Sequence, residues 1–593
     1  MTARARILVA VAAAAAVLAC APRGPERPPA GARAVGSAMA EIQAVAREYL
    51  AAYFTFRPEE ATTFGFPGAD HAAVQDPGPS ALRAWEAAED GFLARVRAVD
   101  PAALSGTPEA IDRAVLLEAL EGARAARVCR MELWNVSSVN GWQGEYAVLA
   151  EVQPVGTPEL RAAAVARVSA LARRVDGEVA NLQEGARLGY VATRENVERV
   201  AAELDRLLAT PAERWPEVAP AERDGDPAFR AALATAVERE LAPAAERYRS
   251  LLRGPYVDRA RRTPTLLALP GGEACYRASV RLHTTLEVEP REIHATGLAR
   301  VQALHADMRP IAERAFGTAN VSGLLRRLRD DPALRFASAD EVIAVSRGAL
   351  ARAKEAAPRW FGHVPAAPVE LRVYPAFLRG SAPAERYSPN FAGGRVAGLY
   401  WIDALVPAAK ARPPVEANAF HETIPGHHTQ IATAFEQGGA RVGQYVLNAG
   451  FVEGWGLYAE RLADEMGLYS ADVYRLGFLA NQTFRAARLV VDSGLNVFGW
   501  PRQRAIDYLV SNAGLSEDVA SSEVDRYVAW PGQATAYALG AIEIAALRAR
   551  AEEALGPRFD VRAFHDAVLE DGAVPLPALR EKIVRWIAER RGR

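Results

Sequence analysis

A mainly helical protein is what this sequence predicts, and three observations carry that expectation. Ala, Leu, Arg and Glu, all strong helix formers, dominate the composition. Apolar residues recur at helical spacing over long stretches, roughly 38–55, 79–98, 107–127, 157–186, 192–208, 228–252, 289–316, 339–356, 440–466, 471–490, 533–553 and 575–591. Pro and Gly clusters such as Phe66-Pro67-Gly68 and Asp76-Pro77-Gly78-Pro79 punctuate these stretches, and one region alone reads as strand.

The N-terminus is a separate element. Met-Thr-Ala-Arg-Ala-Arg precedes an unbroken apolar run from Ile7 to Ala19, then Cys20, and this makes residues 1–19 an export signal. The run falls short of the roughly 20 residues that span a bilayer. Val17-Leu18-Ala19-Cys20 resembles the lipobox of bacterial lipoproteins, in which the Cys is acylated and becomes the new N-terminus. The other reading is an ordinary cleaved signal with an unmodified Cys. Residues 20–37 are rich in Pro, Gly, Ala and Arg and read as a flexible tether, which leaves 38–593 as the helical domain. The expected location is therefore the cell envelope, with a lipid anchor at Cys20 on the periplasmic or extracytoplasmic face. Half the residues are apolar and the net charge is −2, so nothing points to nucleic acid as a partner. Cys129 and Cys275 either pair in an oxidising compartment or stand as buried thiols.

The strand signal lies in Pro368–Tyr374, which alternates with period two, and in Arg395–Ile402, which is β-rich between Gly394 and Asp403. Two such runs around a Gly/Pro/Ser-rich loop predict a small antiparallel sheet. It lies directly before a His-rich segment. Of nine histidines, His421, His427 and His428 fall within eight consecutive residues. Glu422 follows the first, as in the His-Glu-x-x-His helix that holds zinc through two His one turn apart and uses the Glu as a base. Here Pro425 occupies the second ligand position. His427, six residues after His421, is turned about 240° away on a regular helix, unless Pro425 and Gly426 break that helix and return it. His428 faces the right way but stands about 10 Å further along the axis. His421 and His427 are thus the favoured ligands, with His428 behind them or against substrate. Glu453 and Glu460 share one face of the next helical stretch. Gly454 and Gly456 beside them cost helix stability unless something packs closely there. A helix pressing at that point would bring Glu453 to the metal as third ligand, with Glu460 either supporting the site or facing solvent.

These residues carry a resemblance. His-Glu-x-x-Pro-Gly-His at 421–427, Glu-Gly-Trp-x-x-Tyr-x-Glu at 453–460 and Pro531-Gly532-Gln533-Ala534-Thr535-Ala536-Tyr537 are similar to the domain-of-unknown-function 885 family. Leu269-Pro270-Gly271-Gly272 with Tyr276, and Glu292-Ile293-His294-Ala295-Thr296-Gly297, also resemble it. The similarity runs from about residue 40 to near the C-terminus. That family is distantly similar to zinc peptidases such as angiotensin-converting enzyme, thimet oligopeptidase and carboxypeptidase Taq. The resemblance implies a large helical zincin-like ellipsoid with a deep central channel. It also implies Zn2+ held by His421, His427 and Glu453, with Glu422 as base. One departure stands out: the segment 485–496 ends in Asn496 where the family usually has His, and Asn carries no proton at neutral pH.

The chemistry implied is attack of an activated water on an amide carbonyl. Glu422 shuttles the proton, and Tyr537, with Arg488 as a further donor, holds the oxyanion. The plainer readings make Tyr537 a core aromatic, Arg488 and Asp492 a helix ion pair four residues apart, and His283 and His294 structural. An exposed edge at Gly398-Leu399-Tyr400-Trp401 would pair with substrate backbone. The expected function is a zinc-dependent, metallopeptidase-like hydrolase of small peptides or amides. The alternatives are a zinc amidohydrolase or esterase on a non-peptide substrate, and a catalytically silent binding lipoprotein. Asn496 leans toward the last of these, while His421 and Glu422 lean away from it. No Gly-x-Ser-x-Gly elbow, P-loop or dinucleotide fingerprint is present.

Overall fold

A computed structural model describes residues 30–374, 385–390, 397–436 and 442–592. The export signal, Cys20 and the tether up to residue 29 lie outside the described residues. Among those described, no helix is long and apolar enough to cross a membrane.

The chain is mainly helical, and its punctuation follows local chemistry. Pro79, Pro108, Pro158 and Pro290 each open a helix (Pro79–Ala98, Pro108–Ala126, Pro158–Leu188 and Pro290–Phe316), at the position where a missing N–H leaves no bond unmade. Gly189 and Gly317 close two of them in the left-handed conformation that glycine adopts without a Cβ penalty. The helix Ala30–Phe56 begins inside the stretch whose composition reads as tether. Shorter helices that periodicity does not announce, such as Gly272–Thr284, Val321–Asp330 and Glu517–Ala529, fill the gaps.

Several apolar clusters hold these helices together. One, around Trp142, Tyr248 and Tyr256, belongs to helices between residues 136 and 260. A second joins the first helix to the C-terminal ones around Phe420, Phe451, Trp455 and Phe564. A third, with Met308, Phe478 and Tyr527, packs Pro290–Phe316 against the long helix Asp472–Asn496. Cys129 and Cys275, 146 residues apart, are disulfide-bonded.

The sheet differs from the expectation. It has three strands, β1 (Val369–Val373), β2 (Arg386–Asn390) and β3 (Ala397–Ile402), in the order β1-β3-β2. The two anticipated strands are β1 and β3, and they pair parallel, with Leu371 opposite Tyr400. β2 runs antiparallel on the other side of β3, with Tyr387 also opposite Tyr400. Ser388 and Pro389 made β2 read as loop, but an edge strand tolerates Pro. Inserting this strand reverses the chain a second time, so β1 and β3 become parallel. Gly398–Trp401 is therefore the middle of the sheet, bonded on both sides, and is not a free edge for substrate.

Of the helices that follow the sheet, five concern the site: α1 (Val415–Glu422), α2 (His427–Glu436), α3 (Ala449–Glu465), α4 (Asp472–Asn496) and α5 (Ala536–Leu555). The periodicity starting near 440 overshoots, because Asn448 caps α3 by accepting the Phe451 N–H at 2.8 Å. α3 and α5 approach backbone to backbone. A Cβ on Gly454 would lie 2.6 Å from Gly540 Cα, and one on Gly540 would lie 1.8 Å from the Gly450 carbonyl oxygen.

Candidate metal centre

The segment His421–His428 is two helices, not one. α1 ends at Glu422, Thr423 leaves helical geometry (φ −115°, ψ −108°), the Ile424–Pro425 bond is cis, and α2 restarts at His427. Gly426 is required at the joint, since a Cβ there would lie 1.8 Å from the His421 carbonyl oxygen. Trp455 of α3 donates its indole N–H to the Pro425 carbonyl at 2.9 Å and pins the break in place. The break cancels the 240° offset of a continuous helix. His421 and His427 then stand with ring centroids 4.7 Å apart and planes nearly perpendicular.

Glu453 of α3 completes the group. Its Oε2 lies 3.6 Å from His421 Nε2 and 3.7 Å from His427 Nε2, and ligand atoms of all three residues lie within 4.8 Å of one another. Tetrahedral ligands about 2.0–2.1 Å from a zinc ion stand roughly 3.3 Å apart, so two imidazoles and a carboxylate here have suitable chemistry and spacing. Gly456 is the reason His421 can turn this way, because a Cβ at 456 would sit 2.7 Å from its Nε2.

Supporting residues fix the rings. Glu460 is fully buried, so the solvent-facing reading of that residue does not hold. Its Oε1 lies 2.9 Å from His421 Nδ1, and its Oε2 accepts from Gln482 at 3.1 Å. Such a carboxylate behind a ligating histidine holds the proton on Nδ1 and turns the Nε2 lone pair toward the centre. Gln430 Oε1 lies 3.3 Å from His427 Nδ1 and plays the same part less strongly. Burial pushes His421 down, but the carboxylates of Glu453 and Glu460 beside it outweigh that and raise it to about 10. Burial raises Glu453, while the two histidines pull it well below the usual carboxylate range. Glu460 is fully buried and the Glu453 side chain is 24% exposed, and a pair of carboxylates that draws positive charge in this way suits a cation in place of those protons.

Glu422 sits beside the group, with Oε2 accepting the Tyr387 N–H of β2 at 2.7 Å, and burial pushes its carboxyl up. His428 turns away. Its Nε2 meets the Ala367 carbonyl at 3.0 Å and its Nδ1 the Tyr387 hydroxyl at 3.2 Å. Tyr537 on α5 is raised by burial and then by the charge of Glu453, with Arg488 opposing. Arg488 is held apart from the ligands, with its guanidinium 4.6 Å over the Tyr537 ring and 4.2 Å from Phe484. It pairs with Glu523 at 3.1 Å and not with Asp492, so the ion pair expected within α4 is absent. Asp492 instead accepts the Tyr276 hydroxyl at 2.7 Å and the Gly532 N–H at 3.2 Å. Two segments of the family-like pattern, around Tyr276 and Pro531-Gly532, thereby meet on one buried carboxylate. Asn496 donates to the backbone carbonyls of Asp492 and Tyr527 at 3.0 and 3.2 Å. His294 meets Ser493 Oγ at 3.0 Å, and His283 packs edge-on against Trp530.

Sequence reasoning missed Gln430, Gln482 and the Tyr387 amide. Gln430 carried a signal, being three residues after His427 on one helical face. The Tyr387 amide carried none, because it arises from tertiary placement of β2.

With this geometry in hand, the chain can be placed among known proteins. It belongs to the family of bacterial proteins of unknown function designated DUF885, whose sequence profile matches residues 58–583. Its fold is similar to the crystal structure of a protein from Colwellia psychrerythraea provisionally described as a lipoprotein. There the TM-score is 0.86 and the identity 23%, over 93% of this chain and 99% of that one. It is also similar to a provisionally described lipoprotein of unknown function from Shewanella oneidensis, with TM-score 0.71 and 18% identity over 92% of this chain and 99% of that one. No functionally curated protein matches the chain.

Proposed function

We propose that the protein is a zinc-dependent hydrolase of metallopeptidase type, exported and lipid-anchored, that cleaves amide bonds in small peptides. The observation that carries this reading is the convergence of His421, His427 and Glu453 across a helix break, with Glu460 behind one ring and Glu422 beside the group. The two histidines and Glu453 would hold the ion. When bound, it would acidify a water molecule and polarise a carbonyl as a Lewis acid. Glu422, fixed by the Tyr387 amide, takes the proton from the attacking water and passes it to the leaving amine nitrogen. Tyr537, near enough to Glu453 to feel its charge, would donate to the carbonyl oxygen of the bond under attack. The likeness to zinc peptidases, including their central channel, belongs to this proposal.

Three further observations support the location. The first 20 residues read as a lipoprotein export signal. The disulfide fits an oxidising compartment. Two proteins of similar fold carry provisional lipoprotein descriptions.

Elemental mass spectrometry on the purified protein, His421→Ala and Glu422→Gln tests the centre. Roughly one zinc per chain, lost in the first variant and kept in the second, followed by peptide turnover that only Glu422→Gln abolishes among zinc-loaded forms, is the expected result. No metal after zinc is supplied would overturn the hydrolase reading and leave a binding lipoprotein. Labelled palmitate incorporated by the wild type and lost in Cys20→Ser is the expected result for the anchor.

A further inference from the structure

His428 closes the His421–His428 segment, and the proposed hydrolysis gives it no part. It follows a candidate ligand directly, yet it is buried and turned toward the sheet. Both ring nitrogens are engaged there. Nε2 lies 3.0 Å from the carbonyl of Ala367, just before β1, and Nδ1 lies 3.2 Å from the Tyr387 hydroxyl on β2. A carbonyl can only accept, so Nε2 carries the proton and Nδ1 takes the hydrogen of the tyrosine. These two bonds fix the tautomer and the plane of the ring. Gly398 of β3 makes room for the contact. A Cβ at that position would lie 2.5 Å from His428 Nδ1, 2.5 Å from Tyr387 Cε2 and 3.0 Å from the Tyr387 hydroxyl, so another residue would push the two side chains apart.

The backbone of the same tyrosine serves the candidate centre. In an antiparallel pair, directly opposed residues alternate between those bonded to each other and those whose amides face outward. Tyr387 stands opposite Tyr400 and is of the second kind, because its N–H goes to Glu422 Oε2 at 2.7 Å. β2 is an edge strand, with β3 on one side and no strand on the other among the described residues. Its placement therefore decides where the Tyr387 amide stands, and with it the Glu422 carboxylate. One tyrosine thus holds both halves of the broken segment: α1 through its amide and Glu422, and α2 through its hydroxyl and His428.

We propose that His428 is a positioning residue: it grips the Tyr387 hydroxyl so that the Tyr387 amide fixes Glu422 beside the His421–His427–Glu453 group. It acts on the chemistry only through Tyr387. A general base has to lie within about 2.6–3.2 Å of the group whose proton it takes. A misplacement of about 1 Å costs about 100-fold in rate, so a strand that carries the partner of that base needs an anchor of its own. The part given to Glu422 rests on the hydrolase reading, whereas the coupling of His428 to Glu422 through Tyr387 does not.

The test reads the Tyr387 amide directly, by hydrogen exchange on the full-length protein with mass-spectrometric fragmentation that resolves single amides. Tyr387→Phe removes only the hydroxyl, and His428→Leu removes both of the histidine's bonds. Exchange at residue 387 is expected to quicken about 2- to 10-fold in either variant, the range set by the net contribution of one hydrogen bond. The double variant is expected to go no further, because both changes act through one contact. His428→Gln, whose amide can accept from the tyrosine, is expected to recover part of the protection. Zinc stoichiometry stays unchanged, since neither side chain belongs to the metal group. On Ala-Ala-Phe-Ala as probe substrate for the zinc-loaded protein, Tyr387→Phe is expected to lower kcat about 10- to 100-fold and to leave KM within about twofold. An unmoved exchange rate in Tyr387→Phe overturns the proposal, as does a double variant whose effect is the product of the two singles. A raised KM with kcat intact overturns the assignment to Glu422. If circular dichroism shows that His428→Leu has not folded, Tyr387→Phe decides alone. Faster exchange without zinc uptake would remove the hydrolase reading and leave the coupling. Zinc uptake and turnover with exchange unmoved would do the reverse.

Discussion

Replacing Gly456 by Ala adds one methyl group to a helix interior, a change that ordinarily stabilises a helix by about 1 kcal/mol. Here the methyl carbon would stand 2.7 Å from both Cε1 and Nε2 of His421 and 3.1 Å from Nδ1. Ordinary carbon contacts begin at about 3.5–4.0 Å, so the imidazole has to retreat by roughly 1 Å. Metal–ligand distances tolerate about 0.2 Å. The same movement pulls Nδ1 from Glu460, whose contact is 2.9 Å. Disturbing an outer partner alone costs about 10- to 100-fold in metal affinity, so displacing ring and partner together is expected to cost at least the upper end. The assay is zinc affinity by competition with a chelating dye, beside thermal unfolding with zinc at about 100 times the wild-type Kd. At that concentration binding stabilises the wild type by about 2.7 kcal/mol, whereas a 100-fold weaker site gains only about 0.4 kcal/mol. A variant that binds zinc like the wild type and is more stable without it would refute the placement of His421 against Gly456.

Three further outcomes follow from the same geometry. Glu460→Gln keeps an acceptor near His421 Nδ1 but removes the charge, and zinc affinity by the same dye competition is expected to fall about 10- to 100-fold. Asp492 is raised by burial to about 7, well above its usual range, despite its bonds to Tyr276 and Gly532. The folded state therefore keeps a proton that the unfolded chain loses near pH 4, so this group's contribution is fullest below about pH 4 and falls away as pH rises to about 7. A shift of this size corresponds to roughly 4 kcal/mol as an upper bound. Urea midpoints measured from pH 4.5 to 7.5 should decline less steeply in Asp492→Asn than in the wild type, and parallel profiles would exclude this assignment. Removing the Cys129–Cys275 bond by serine substitution at both positions should lower stability by about 2–5 kcal/mol in denaturant titrations. Reductant should then shift the wild type and leave the double variant unmoved.

The parts of this molecule legible in the sequence are those fixed by local rules, and the misses fall where two distant segments decide the outcome. The long helices announce themselves by periodicity because each buries one face along its whole length. The sheet went astray at β2, whose Arg-Tyr-Ser-Pro-Asn sequence has no strand preference and pairs only because β3 offers it a partner. The His421–His427 pairing was readable because the departure from regular spacing carried its own remedy: Pro425 and Gly426 end a helix, and the joint realigns the next one. The glycines of α3 were readable only as a question. Their sequence says that something must come close; the structure separates two answers, Gly540 of α5 against Gly454 and the His421 ring against Gly456. Arg488 shows the limit from the other direction. On α4 alone it has an acidic residue four positions away and every local reason to pair with it. Tyr276 and Gly532 take Asp492 instead, and Glu523 takes only part of Arg488. The arrangement that results is a property of three segments meeting, and no one of them announces it alone.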